Sequence, residues 1–166
     1  MKVNIALLTV TDTRTIDNDK SGSILVKKIK EADHFLFERK ICKDNKDDIV
    51  FILKEWLKNQ KIDVIITTGG TGLTGRDITP EALDDVADKH IPGFGEVFRT
   101  LSLKTVGTSA IQSRACAVLS NGKYIFALPG SSGGVTDAWE GILKNQLDIN
   151  HKPCNFVELF PRLKEK

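Results

Sequence analysis

The sequence contains no apolar run that approaches the length of a membrane span. This excludes a helical membrane protein. Its three cysteines, Cys42, Cys116 and Cys154, are odd in number and far apart, which excludes a disulfide framework and a zinc site. His34, His90 and His151 show no metal-ligand spacing and read as surface or helix-end residues. Aromatic residues make up 7% of the chain, too few for a platform that stacks single-stranded bases. A net charge of +2, with basic residues dispersed, gives no field of the kind that gathers nucleic acid. No Gly-Lys-Ser or Gly-Lys-Thr occurs, so the nucleotide P-loop is also excluded. Met1-Lys2 followed by Val3 to Val10 is too short for a secretory signal and runs into Thr11-Asp12-Thr13-Arg14 without a cleavage site. The expectation is a reduced, cytoplasmic protein.

What is present is a real core and a dense cluster of glycine. Hydrophobic residues form 40% of the 166 residues, enough for one domain. Val64 to Ile66 is β-branched and continuously apolar, as in a strand buried on both faces. Directly after Thr67-Thr68 come Gly69, Gly70, Gly72 and Gly75, four glycines in seven residues. Then Asp77, and Thr79-Pro80-Glu81, read as a helix start with Thr79 as N-cap and Pro80 at the first helical position. A strand, a loop of free N–H groups and a helix N-terminus together suit an anion, phosphate above all. Gly70-x-Gly72-x-x-Gly75 matches the dinucleotide fingerprint in letters. It departs in context, because Arg76, Asp77 and Ile78 stand between the glycines and the helix. A plain structural turn is the other reading.

In chain order, Val3 to Val10 reads as a buried first strand, and Asp12 in its exit loop as a ligand-edge candidate or an ordinary turn residue. Thr15 to Lys20 is expected to be polar and mobile. A helix follows over about 21–32, with Ile24, Leu25, Ile29 and Ala32 inward. Phe35 to Ile41 alternates as a half-exposed edge strand. Ile49, Ile52, Leu53, Trp56 and Leu57 mark an amphipathic helix. Asp44 or Asn45 caps it, so Asp44 has a structural role open to it as well as a chemical one. Pro80 to about Lys89 reads as a helix, Ile91 to Gly95 as a break, Glu96 to about Leu103 as a short helix, and Thr108-Ser109 as the cap of another. Asn121-Gly122 between two apolar runs signals a hairpin, which adds one antiparallel strand to an otherwise parallel sheet. Leu128-Pro129-Gly130-Ser131-Ser132-Gly133-Gly134 repeats the strand-to-helix glycine loop. Val135, Ala138, Trp139, Ile142, Leu143 and Leu147 follow at helical spacing. Two such loops can meet at one sheet edge as a two-lobed anion site. The tail from Asn150 lacks a period and is expected to wrap the body or join a subunit contact.

Thr67-Thr68-Gly69-Gly70-Thr71-Gly72, Arg76-Asp77-Ile78-Thr79-Pro80-Glu81-Ala82, Pro92-Gly93-Phe94-Gly95-Glu96-Val97-Phe98-Arg99 and Leu128-Pro129-Gly130-Ser131, in this order, resemble the MoaB/MogA family of molybdenum cofactor biosynthesis. Ile111 to Ala115 and Lys152 to Phe156 are similar to its MoaB branch. The resemblance covers nearly the whole chain. It implies a three-layer α/β/α sandwich around a mostly parallel sheet, and a homo-oligomer, a trimer or for MoaB-like members a hexamer. It implies molybdopterin as ligand and, in catalytic members, adenylylation of its terminal phosphate by Mg-ATP. Carried onto this chain, Asp44 and Asp77 become the catalytic and Mg²⁺-holding acids. Gly69, Gly70, Thr71 and Gly72 contact the pterin or its phosphate. Ser113, Pro129, Gly130 and Ser131 line the other lobe, and Arg114 is an anion partner or an interface residue. Some MoaB-type members lack one or both acids; this chain keeps both. A pterin- or nucleotide-binding protein without turnover is the alternative.

Overall fold

A computed structural model describes residues 1–165. Its order is β1 (Asn4–Val10), α1 (Lys20–Glu31), β2 (Phe35–Cys42), α2 (Lys46–Lys58), β3 (Val64–Thr68), α3 (Thr79–Asp84), β4 (Lys89–His90) and α4 (Pro92–Val106). A 3₁₀ turn (Gly107–Gln112) follows, then β5 (Cys116–Ser120), β6 (Lys123–Leu128) and α5 (Ser132–Ala138). A π turn (Trp139–Leu143), α6 (Lys144–Gln146) and a 3₁₀ turn (Val157–Arg162) complete the chain. None of these helices is long and apolar enough to cross a membrane.

Six strands form one sheet in the order β2-β1-β3-β6-β5-β4. The first four run parallel. β5 runs against both β6 and β4, so it is the single reversed strand that the Asn-Gly hairpin requires. Asn121 and Gly122 both have positive φ, 47° and 71°, as a two-residue hairpin turn demands.

The period of two sorts the strands into two cores. Ile5 and Leu7 of β1 pack with Val64 and Ile66 of β3, under α1, α4 and the helix behind β6. Ala6, Leu8 and Val10, with Ile65, pack on the other face under Ile49, Leu53, Trp56 and Leu83 of α2 and α3. Both faces of the sheet are therefore covered, which is the three-layer α/β/α sandwich expected. β2 is an edge strand of alternating exposure, also as expected. The tail folds back onto the body: the Phe156 ring packs tilted against Tyr124 and Phe126, at 4.6 Å and 5.6 Å between ring centroids.

Four expectations are corrected. Pro80 to Lys89 is not one helix: α3 stops at Asp84 and Lys89–His90 pairs with β5. Ile91 to Gly95 is not a break but the start of α4, which runs from Pro92 to Val106. Proline suits a first helical turn, where its missing N–H has no intrahelical partner, and Phe94 and Phe98 anchor the helix in the core. Thr79 is not a cap but a helical residue, with Ile78 before it; its hydroxyl turns to Gly69 instead. Thr15 to Lys20 is not wholly a loose polar loop, because Asp19 is buried and caps α1 through Gly22 N–H.

Candidate functional site

The sheet order places β1 between β2 and β3. The α1 crossover leaves β1 towards one face and α2 returns over the other. The carboxyl ends of β1 and β3 therefore lie at a topological switch point, where ligands collect in open α/β sheets. The loops after β1, β3 and β6 meet there.

The β3 loop is fixed by its carbonyls. Gly69 O accepts from Thr79 Oγ1 at 2.8 Å and Gly70 O from Thr79 N at 3.0 Å. Thr71 O accepts from Arg114 N at 2.9 Å and Gly72 O from Arg114 Nε at 2.7 Å. Four successive carbonyls are thus turned into the protein. The N–H groups of Gly70 and Thr71 have no hydrogen-bond partner among the described residues. A backbone held in this way offers donors, not acceptors, to a ligand.

The β6 loop is fastened beside it. Gly69 N donates to Leu128 O at 3.0 Å, and Thr68 Oγ1 donates to Pro129 O at 2.8 Å. A Cβ on Gly130 would lie 3.3 Å from Gly69 Cα. Ser131 caps α5 by accepting from Gly134 N–H. The expected meeting of two glycine loops at one edge is present in the structure. Two clefts open from the seam. One, of about 460 Å³, takes Ser113, Pro129 and Ser131 in its wall. The other, of about 300 Å³, takes Thr11, Arg14, Asp44, Thr68, Gly130 and Ser131. Ser131 belongs to both walls.

The acids border the β3 loop. A Cβ on Gly70 would stand 3.5 Å from Asp44 Oδ1, and one on Gly72 would stand 2.7 Å from Asp77 Oδ2. The loop backbone therefore passes close to both carboxylates. Asn45, not Asp44, caps α2, by accepting from Asp48 N–H. Asp44 is thus free of the capping role that the sequence left open for it. Its N–H donates to Asp12 Oδ1 at 3.1 Å. Burial, then the charge of Asp12 and more weakly that of Asp77, hold Asp44 above the usual carboxylate range. Burial pushes Asp77 up as well, but the Thr74 hydroxyl and N–H, with the Gly72 N–H, outweigh it and hold Asp77 below that range. Arg76 pairs with Asp12 and joins the β3 loop to the β1 loop. Among the described residues, no three His, Cys, Asp or Glu side chains form a ready-made metal cluster.

Arg114 sits beside the loop rather than in the open cleft. Its guanidinium serves Gly72 O, Asp77 O and Glu81. Sequence reasoning missed Asp19 and Arg14. Asp19 accepts from Thr9 Oγ1 at 2.6 Å, from Ser21 Oγ at 3.1 Å and from Arg39 Nη2 at 3.0 Å. An acid three residues before a glycine at a helix start was its available signal. Arg14 Nη1 donates to Gly130 O at 3.1 Å across a sequence separation of 116, and no local pattern announces such a contact.

Residues 6–149 match the family model described as "Probable molybdopterin binding domain". Molybdenum cofactor biosynthesis protein B of Escherichia coli K12 is 44% identical over 161 residues, 97% of this chain and 93% of that protein. The protein of the same name from Staphylococcus aureus COL is 46% identical over 154 residues, 88% of each chain. A crystal structure of molybdenum cofactor biosynthesis protein B superposes with a TM-score of 0.89 at 36% identity, covering 100% of this chain and 98% of that one. That of the tungsten cofactor synthesizing protein MoaB from Pyrococcus furiosus gives 0.78 at 34%, covering 87% and 92%. Motifs, fold and relatives agree, and the chain belongs to the MoaB/MogA family of molybdenum cofactor biosynthesis proteins.

Proposed function

We propose that the chain binds molybdopterin at the seam of its two glycine loops and adenylylates the terminal phosphate with Mg-ATP. The observation that carries this reading is the β3 loop, with its carbonyls turned inward, unpaired N–H groups at Gly70 and Thr71, and Asp44 and Asp77 at its sides. Two anionic groups have to be brought together for this reaction. A phosphate oxygen of the pterin attacks the α-phosphorus of ATP, that P–O bond forms, and the bond to the leaving pyrophosphate breaks. Positioning and charge neutralisation do most of the work in such a transfer. The N–H groups of the β3 loop hold one anion. The β6 loop, with Ser113 and Ser131 in its cleft, holds the neighbouring group.

The acids fit Mg²⁺, which keeps several waters and needs only one or two carboxylates besides phosphate oxygens. Asp44, crowded by the like charges of Asp12 and Asp77, gains from a cation. Asp77 keeps Oδ1 outside its bonds to Thr74. Mg²⁺ held by these two would neutralise charge building on the transferring phosphate. A homo-oligomer, a hexamer or else a trimer, belongs to the same proposal. The exposed apolar side chains Val97, Leu103, Val106 and Ile111 along α4 and the turn after it support an assembly, and sedimentation velocity tests it. A monomer at micromolar concentration would overturn that part.

The test of turnover is purified protein with molybdopterin, Mg²⁺ and labelled ATP, following adenylylated pterin and pyrophosphate. Asp77→Asn is expected to lower transfer by about 100-fold or more, as for loss of a charge-stabilising group, while leaving pterin binding in place. One observation favours a second reading, binding without turnover: Asp77 Oδ2 already serves the turn at Thr74. Folded, oligomeric protein that binds pterin and yields no adenylylated product would establish that reading instead.

A further inference from the structure

We propose that Arg14 is the residue that takes a phosphate ester's charge in the smaller cleft, and that the buried Asp19–Ser21 pair positions it. This rests on the reading of the seam as a site for phosphorylated ligands. Besides Asp44, Arg14 is the charged side chain in the wall of that 300 Å³ cleft; the rest of the wall is Val10, Thr11, Thr13, Thr68, Gly130 and Ser131. An anion entering without a cation would meet only the Asp44 carboxylate and neutral groups. A guanidinium there supplies the missing opposite charge and a planar set of donors matched to phosphate.

The arginine is held, but not used up. Nη1 donates to Gly130 O at 3.1 Å and lies 3.4 Å from Ser21 Oγ. Nη2 and Nε have no hydrogen-bond partner among the described residues. The support behind it follows from hydrogen-bond polarity. Asp19 is an ionised acceptor, so the single Ser21 hydroxyl proton goes to Asp19 Oδ1. The Ser21 oxygen then turns lone pairs to Arg14 and can only accept from it. Asp19 itself is fixed by Thr9, Gly22 and Arg39, and its side chain is fully buried. Thr11 completes the loop by accepting from the N–H groups of Thr13 and Arg14.

The ligand chemistry is a phosphate ester, and it has two sources, the pterin or the nucleotide. Calorimetric titration of wild-type protein, Arg14→Ala, Arg14→Lys and Ser21→Ala with molybdopterin in one arm and Mg-ATP in the other separates them. Arg14→Ala is expected to weaken one arm by about tenfold to a hundredfold, the range of a charge-assisted hydrogen bond to a ligand, with the melting temperature unchanged. Arg14→Lys should restore part of that affinity, and Ser21→Ala should lose an intermediate share in the same arm. Loss in the molybdopterin arm assigns Arg14 to the pterin phosphate; loss in the Mg-ATP arm assigns it to the nucleotide. Wild-type binding with Arg14→Ala indistinguishable in both arms overturns this proposal and leaves the proposed function standing. Wild-type protein that binds neither ligand removes both.

Discussion

Gly69 has φ of +103°, and a Cβ there would lie 2.2 Å from the Val10 carbonyl oxygen. Two costs fall on one atom, a backbone conformation that L-residues avoid and a collision with the β1 exit. Gly69→Ala should destabilise the protein by about 1–3 kcal/mol from the backbone alone, with more from the collision. Urea unfolding measures it. Asp19 gives a test in pH. Burial opposes its charge, but Thr9, Gly22, Arg39 and Ser21 outweigh burial and hold its carboxyl below the usual range. A carboxyl whose pKa is lowered by folding contributes stability that is complete above the unfolded value of about 3.9 and is lost as pH falls through the folded value. Asp19→Asn should therefore flatten the acid limb of a stability-against-pH curve below about pH 4. An acid limb as steep as that of the wild type would place the acid-sensitive charge elsewhere.

Elements that carry their own signal were legible. The Asn121-Gly122 hairpin, the α2 stripe and the helix after Ser131 stand where their periodicity puts them. Over residues 80–106 the local signals conflict with the tertiary pairing. A helical pattern runs past Asp84, yet Asp88 N and Ile91 N find carbonyls on β5 at 2.8 Å, so pairing with a strand far along the chain wins over local propensity. Pro92-Gly93 reads as a breaker alone, but starts α4 because Phe94 and Phe98 are drawn into the core. Phe98, 1% exposed, makes this testable. Phe98→Ala should cost about 3–5 kcal/mol, measured by chemical denaturation. A cost under about 1 kcal/mol would mean the position behaves as surface and not as core.

At the scale of the molecule, the tail is a part of the core rather than an appendage. Phe156 packs tilted against Tyr124 and Phe126 of β6, and the Tyr124 hydroxyl donates to Phe156 O at 3.2 Å. β6 is also the strand that delivers Pro129, Gly130 and Ser131 to the seam. Phe156 is half-buried, so Phe156→Ala should cost about 1–3 kcal/mol in thermal or urea unfolding. Faster backbone hydrogen exchange in β6 should accompany it, with β2 at the far edge unaffected. Equal acceleration in β2 and β6 would show one global unfolding event and no local link between tail and site.

The sequence by itself determined the fold class, the two glycine loops and Asp77 at the end of the first of them. Each of these is written in local chemistry: a β-branched run, glycines where φ must be positive, an Asn-Gly turn. Only the tertiary structure decided which acids and cations share one cleft. Asp12 and Asp44 are separated by 32 positions and Arg14 and Gly130 by 116, and they meet because β1 lies between β2 and β3 with β6 next in the sheet. Strand order is set by the burial of two apolar faces at once, a condition on the whole chain that no window of residues contains.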